Sequence, residues 1–138
     1  MLSVLLSVAM FLPVDAPGLN YTRFRPSEVQ LRSLEEPAYA ACIHQSGGIT
    51  VSMRDCNAQE FRRLDGLLNR EYRAALARLA STQARLRLRQ TQRAWLATRW
   101  SECDRRVSHE GGTLATLSRD TCAIAEVSRR VLWLRTYE

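Results

Sequence analysis

Four cysteines are the residues of this chain whose chemistry is easiest to define. Cys42 and Cys56 precede most of a long helix-patterned region, Cys103 lies near its end, and Cys122 follows it. An even number of cysteines behind an apolar N-terminal leader is typical of disulfides formed in an oxidising compartment. Structural zinc usually requires close pairs such as Cys-x2-Cys, and no two cysteines here are that close. We therefore predict disulfides and no metal site.

Helix geometry limits the pairing of these cysteines without deciding it. If the chain reverses near residues 81–82, Cys56 and Cys103 lie at the same end of a helical hairpin. Cys103 and Cys122 flank a Gly-Gly loop almost symmetrically, and Cys42 and Cys56 are close in sequence. Three connectivities remain possible. We favour Cys42–Cys56 together with Cys103–Cys122.

The residue types needed for catalysis are mostly missing. The only histidines are His44 and His109, each next to a glycine-rich segment. The chain contains no Gly-x-Ser-x-Gly, no phosphate-binding loop and no His-Glu-x-x-His motif. Asp65 lies on the apolar side of a predicted helix, where we expect it to accept hydrogen bonds from Arg99, Gln92 and Trp95 rather than to catalyse. We predict a protein that is not an enzyme and has no cofactor.

The N-terminus predicts export. Residues 1–16 have an apolar segment that is too short to span a membrane but suits a signal peptide, although no basic residue precedes it. We expect residues 17–41 to form an irregular segment with a short helix, and residues 42–138 to form one helical domain. The expected location is periplasmic or secreted. No cysteine stands directly after the leader, where a lipid could be attached, so we expect no stable membrane anchor.

The basic residues are unusual in kind. All twenty are arginine, and the formal net charge is +6. Arginine binds phosphate and carboxylate through a planar fork, so an anionic partner has to be considered. The simpler interpretation is a compositional bias that places arginine instead of lysine on a solvated surface. Because export removes the protein from most DNA and RNA, we predict no nucleic-acid partner.

Apolar spacing predicts an all-α protein. Ser27 is a candidate cap for a short helix through Glu36, and a second short helix covers Ala38 to Gln45. A long helix begins near Thr50, capped by Thr50 or Ser52, and breaks at Ser81-Thr82. Two further helices cover about 83–106 and 116–135. We expect an antiparallel helical hairpin, a third helix packed on it, and a short helical N-terminal segment, with disulfides holding them together.

At this point an ordered set of motif residues becomes recognisable. Residues 42–134 resemble the LprI-type lysozyme-inhibitor domain. The resemblance rests on the four cysteines and on Thr50, Met53, Asp65, Leu68, Asn69, Tyr72, Gln92, Trp95, Arg99, Gly111, Gly112 and Arg130. It implies a helical, exported, disulfide-bearing domain with lysozyme as its protein partner, and mainly structural roles for these residues.

Three positions depart from the pattern of that family. Trp100 stands where an aspartate is usual after the motif arginine, and Val127 stands where a threonine is common. The lipid-anchor cysteine of the family's namesake is missing. The first two changes alter a surface or a buried polar network. The third implies a soluble periplasmic or secreted form.

Lysozyme inhibition would require groups that reach the two carboxylates in the lysozyme cleft. Two loops offer hydroxyl and imidazole groups that could do so. One loop contains His44 and Ser46, and the other contains Ser108 and His109. The alternative is that both loops only end helices. The protein would then be an envelope interaction module that binds an anionic polymer or another protein partner. The sequence does not predict the oligomeric state.

Overall fold

A computed structural model describes residues 21–138, so the predicted signal peptide of residues 1–16 lies outside the described residues. A single 3-10 turn, Tyr21–Arg23, is followed by five α-helices. They are α1 (Glu28–Arg32), α2 (Pro37–Gln45), α3 (Thr50–Arg78), α4 (Thr82–Arg106) and α5 (Gly112–Thr136). Residues 21–138 contain no strand. The all-α prediction is confirmed.

The two short helices begin where local chemistry favours a helix start. Ser27 and Gln30 form a reciprocal capping box, in which the Ser27 hydroxyl accepts from the Gln30 amide and the Gln30 side chain accepts from the Ser27 amide. Helix α1 ends at Arg32, one turn before the predicted Glu36. Helix α2 begins at Pro37, whose missing N–H would have no partner in a first turn.

The long helices differ from the sequence prediction in their caps. Helix α3 is preceded by Ile49 as its N-cap residue, without a side-chain cap. The predicted caps Thr50 and Ser52 are therefore wrong, because both already lie inside the helix. Ser81 caps α4, and its hydroxyl accepts from the Ala84 amide at 3.0 Å. Helix α5 starts four residues earlier than predicted, at Gly112, whose φ of +60° suits glycine.

Helix α5 is the centre of the bundle. It runs parallel to α3, as the pairs Arg54–Asp120 and Glu71–Arg135 show. It runs antiparallel to α4, as the pairs Gln92–Arg130 and Asp104–Arg119 show. Its backbone packs closely along α3, and less extensively against α4. The core contains residues from all three long helices: Leu64, Leu68, Ala75, Leu88, Trp95, Val127, Val131, Trp133 and Leu134.

The antiparallel hairpin of α3 and α4 is therefore completed by α5. The backbones of α3 and α4 approach each other little, and long side chains bridge them. Arg99 pairs with Asp65 at 3.6 Å, and the rings of Phe61 and Trp100 lie 5.4 Å apart. The predicted hairpin with a third packed helix is confirmed. None of the helices in residues 21–138 is both long and apolar enough to cross a membrane.

Candidate functional site

Two disulfides lie at one end of the bundle. Cys42–Cys56 joins α2 to α3, and Cys103–Cys122 joins α4 to α5, with Cα atoms 5.8 and 5.7 Å apart. This is the pairing that the sequence favoured, and the described chain has no free cysteine. Because α3 and α5 run parallel, both helices begin at this end, and Arg54 and Asp120 pair across it at 3.1 Å. The crosslinks hold the loops that precede these two helices.

The candidate loop residues divide into exposed and buried side chains. His44, Ser108 and His109 are exposed to solvent at the disulfide end. Ser46 is buried, and its hydroxyl donates to the Ile43 carbonyl oxygen at 2.6 Å. A hydroxyl turned back onto its own helix in this way is not available to a partner. Three of the four candidates therefore remain on the surface.

Exposed apolar side chains accompany these polar ones. Ile49 is 62% exposed, Val51 70% and Leu114 62%, and all three stand where α3 and α5 begin. We call this surface the disulfide-end face: His44, Ile49, Val51, Ser108, His109 and Leu114. Apolar side chains grouped at one end of a small protein, with polar groups around them, are typical of a contact surface.

Both helices that start at this face have free amide groups. Neither α3 nor α5 has a side-chain cap, and neither has an acidic residue in its first turn. The first amides of a helix lack partners within the helix, and the helix dipole adds a partial positive charge there. The face therefore offers hydrogen-bond donors and a positive potential, a chemistry that suits carboxylates.

The polar motif residues do not form the network expected around Asp65. Of the three predicted donors, only Arg99 reaches this carboxylate. Gln92 instead accepts a hydrogen bond from Arg130 Nε at 2.9 Å. Asp65 has 40% of its side chain exposed, whereas Gln92 and Trp95 are buried in the stripe of α4 that reaches the core. The predicted contacts of Gln92 and Trp95 with Asp65 are therefore wrong. Gln92 and Trp95 lie on the buried side of α4, whereas Asp65 lies on a partly exposed side of α3.

The other motif residues have the positions of structural residues. Leu68 is in the core and Tyr72 packs against the core, whereas Met53 is half-buried near the start of α3. Thr50 opens α3, while Gly111 and Gly112 form the entry to α5. Asn69 is exposed. Their roles as family-pattern residues remain predictions.

Arg130 is the most unusual of the motif residues. It is fully buried, and its guanidinium carbon lies 3.9 Å from the Trp133 ring centre, 4.8 Å from Tyr21 and 5.3 Å from Trp95. Burial lowers the pKa of Arg130 to about 10, so the side chain is still charged at neutral pH. Stacking on aromatic faces offsets part of the cost of burying this charge.

Sequence reasoning missed the aromatic residues around Arg130. Tyr21 belongs to a segment interpreted as irregular, yet its ring packs edge-on against Trp95 and Trp133. Burial, and then the nearby Glu126 carboxylate, raise the pKa of Tyr21 to about 12. The Tyr21 hydroxyl donates to Glu126 at 3.2 Å, and Arg129 holds the backbone of the same turn. Only the arginines at 129 and 130, adjacent within one helix, hinted at such a cluster.

Metal binding has no structural support in the described residues. Among residues 21–138, no three histidine, cysteine, aspartate or glutamate side chains are grouped as metal ligands would be. The cysteines are engaged in disulfides.

Comparison with known proteins identifies the family. The model of the family described as lysozyme inhibitor LprI matches residues 42–134, two thirds of the chain. The chain belongs to this family. No curated protein and no solved structure gave a match.

Proposed function

We propose that this protein is an exported, non-enzymatic inhibitor of lysozyme that acts by binding the enzyme through the disulfide-end face. Membership of the lysozyme inhibitor LprI family, over residues 42–134, is the observation that carries the proposal. Two disulfides support export, because such crosslinks persist in oxidising compartments. The location would be periplasmic or secreted.

The disulfide-end face suits a cleft that contains two carboxylates. Ser108 and His109 are exposed in the loop between α4 and α5, and His44 lies near the end of α2. The uncapped amides of α3 and α5 add donors that require no side-chain ordering. The two crosslinks keep both loops in place before binding, which lowers the entropic cost of docking.

We predict that the face loses affinity when a charge is placed in its apolar part. In Leu114→Glu, a carboxylate replaces a 62% exposed apolar side chain and would repel the acidic cleft. Inhibition of cell-wall lysis, followed by turbidity against several lysozymes, is expected to weaken by about tenfold or more. His109→Ala is expected to weaken it as well, by removing an imidazole from the same loop.

The matched control is Leu86→Glu. Leu86 is 44% exposed but lies in the second turn of α4, at the opposite end of the bundle. Inhibition by this variant should equal that of the wild type. Equal inhibition by Leu114→Glu and the wild type would remove the disulfide-end face from the proposal. Absence of inhibition of every lysozyme type by the wild type would contradict the function itself.

The second candidate function is an envelope interaction module without a lysozyme target. It is favoured by the exposed arginines on α3 and α5, such as Arg54, half of whose side chain is solvent-accessible, and Arg119. A binder of anionic polymer should lose affinity steeply as salt screens its charges. A protein that plugs a cleft should show only a mild dependence on salt.

A further inference from the structure

A groove on a different surface of the bundle contains the buried Arg130. The groove has a volume of about 450 Å³ and lies between the Tyr21–Arg23 turn, α4 and α5. We call it the Arg130 groove, and its main lining residues are Tyr21, Trp95, Arg99, Arg106, Arg129 and Arg130. A cavity of this size accommodates a small organic molecule.

Arg130 has an uncompensated charge at this position. Its Nε donates to Gln92, but Nη1 and Nη2 are buried and have no hydrogen-bond acceptor among residues 21–138. No ion pair in the described chain includes Arg130. A buried guanidinium normally has a carboxylate partner, because taking its charge out of water costs several kcal/mol.

Arg99, in the same groove, forms an ion pair with Asp65 but also has donors without a hydrogen bond. Its Nε and Nη1 are buried without a hydrogen bond, and its carboxylate neighbour Asp65 lies 3.6 Å from Nη1, beyond good hydrogen-bond distance. The centre of the Trp95 ring is 5.4 Å from the guanidinium carbon of Arg99 and 5.3 Å from that of Arg130. Two cations with unpaired donors therefore lie close to one indole.

The two carboxylates that line the groove, Glu102 and Glu126, pair with other arginines, among them Arg106 and Arg129, and not with Arg99 or Arg130. Glu102 pairs with Arg105 and Arg106, and Glu126 accepts from the Tyr21 hydroxyl and from Arg106 at 3.2 Å each. Five arginines line the groove against two glutamates, since Arg25 and Arg129 lie there as well. The groove therefore has a net positive charge, and the unpaired N–H donors of Arg99 and Arg130 are part of it.

We propose that the Arg130 groove binds a small molecule through an oxyanion group, a carboxylate or a phosphate, held by Arg99 and Arg130 beside the Trp95 ring. Planar guanidinium forks match both kinds of oxyanion, and the free Nη groups supply the donors. The groove does not include the disulfide-end face. This binding is therefore independent of lysozyme inhibition.

The test uses acetate and methyl phosphate as probes, with neutral acetamide as the control ligand, all at constant ionic strength set with sodium chloride. Binding is followed by the NMR signals of the tryptophan indoles and arginine side chains, and by calorimetry. We expect saturable shifts at Trp95 and Arg99 with at least one anion, with a dissociation constant in about the millimolar range for so few atoms. The two anion arms show whether carboxylate or phosphate is preferred. Acetamide should cause no shift.

Two variants that each remove one positive charge show whether binding depends on the groove or only on the net charge of the protein. Arg99→Gln, which retains the fully buried Arg130, is expected to weaken binding by about tenfold or more. Arg119→Gln removes a partly exposed arginine outside the groove and should bind like the wild type. Non-saturable shifts, equal shifts with acetamide, or equal weakening by the two variants would overturn the proposal. If Arg99→Gln proves unfolded by circular dichroism, Arg25→Gln at the exposed edge of the groove replaces it, with a smaller expected loss.

Discussion

Replacement of Trp133 with alanine is expected to lower the free energy of unfolding by about 3–5 kcal/mol. Trp133 is 2% exposed, and its ring packs at steep angles against Tyr21 and Tyr137, with centres 5.8 and 4.8 Å away. The substitution leaves a cavity in the core. It also removes the closest aromatic face from the buried charge of Arg130. Urea unfolding followed by circular dichroism measures the loss.

Trp100→Ala is the control for this prediction. Trp100 is half-buried and packs against Phe61 and the guanidinium of Arg99, at the junction of α3 and α4. We expect a loss of about 1 kcal/mol, because partial burial removes less apolar surface from water. If Trp133→Ala also costs only about 1 kcal/mol, the aromatic cluster around Arg130 is not part of the stabilising core.

Removal of the Cys103–Cys122 disulfide, by alanine at both positions, is expected to lower the free energy of unfolding by about 3 kcal/mol. The crosslink closes a loop with a sequence separation of 19, and its loss increases the entropy of the unfolded chain. Loss of the crosslink also weakens the attachment of α4 in the native state, because α4 packs against α5 less extensively than α3 packs against α5. Loss of the crosslink also frees the loop that contains His109.

The matched comparison is alanine at both Cys42 and Cys56. This bridge closes a loop of similar size, with a separation of 14, so its loss is also expected to cost about 3 kcal/mol. A reductant should destabilise the wild type by at least as much as either double variant. If reduction leaves the unfolding midpoint of the wild type unchanged, the crosslinks do not stabilise the fold, and the argument for an oxidising compartment loses its support.

The two proposed binding surfaces have different chemistry. The disulfide-end face combines exposed apolar side chains with free helix amides, as a protein contact requires. The Arg130 groove is concave, aromatic and cationic, which suits a small anion. Leu114→Glu should therefore leave anion binding unchanged, and Arg99→Gln should leave lysozyme inhibition unchanged.

Local sequence signals determined most of the helical architecture. The capping box at Ser27, the proline that opens α2 and the serine that caps α4 act over a few residues, so each can be recognised without knowledge of the fold. The apolar spacing in α3, α4 and α5 has the period of a helix, which settles the fold class. The favoured cysteine pairing needed only the helix order and the shorter separations.

Other features depended on how distant residues meet. Two local details also differed from the prediction. Ile49, and not Thr50, is the N-cap residue of α3, and the Ser46 hydroxyl donates to the Ile43 carbonyl oxygen. The sequence offers several polar residues near this turn, and their types alone do not show which one caps a helix. The central position of α5 results from its apolar stripe, which is wide enough to contact both α3 and α4.

The amino-acid sequence by itself determined the helices, the class of fold and the family, because these depend on local periods and on ordered motifs. It favoured the observed pairing of the cysteines but left three connectivities possible, and the tertiary structure decided among them. Only the tertiary structure brought Tyr21 from one end of the chain onto Trp95, Arg130 and Trp133. It also left Nη1 and Nη2 of Arg130, and Nε and Nη1 of Arg99, buried without a hydrogen-bond partner in one groove. The burial of Arg130 depends on residues as distant in sequence as Tyr21, so no local sequence pattern predicts it.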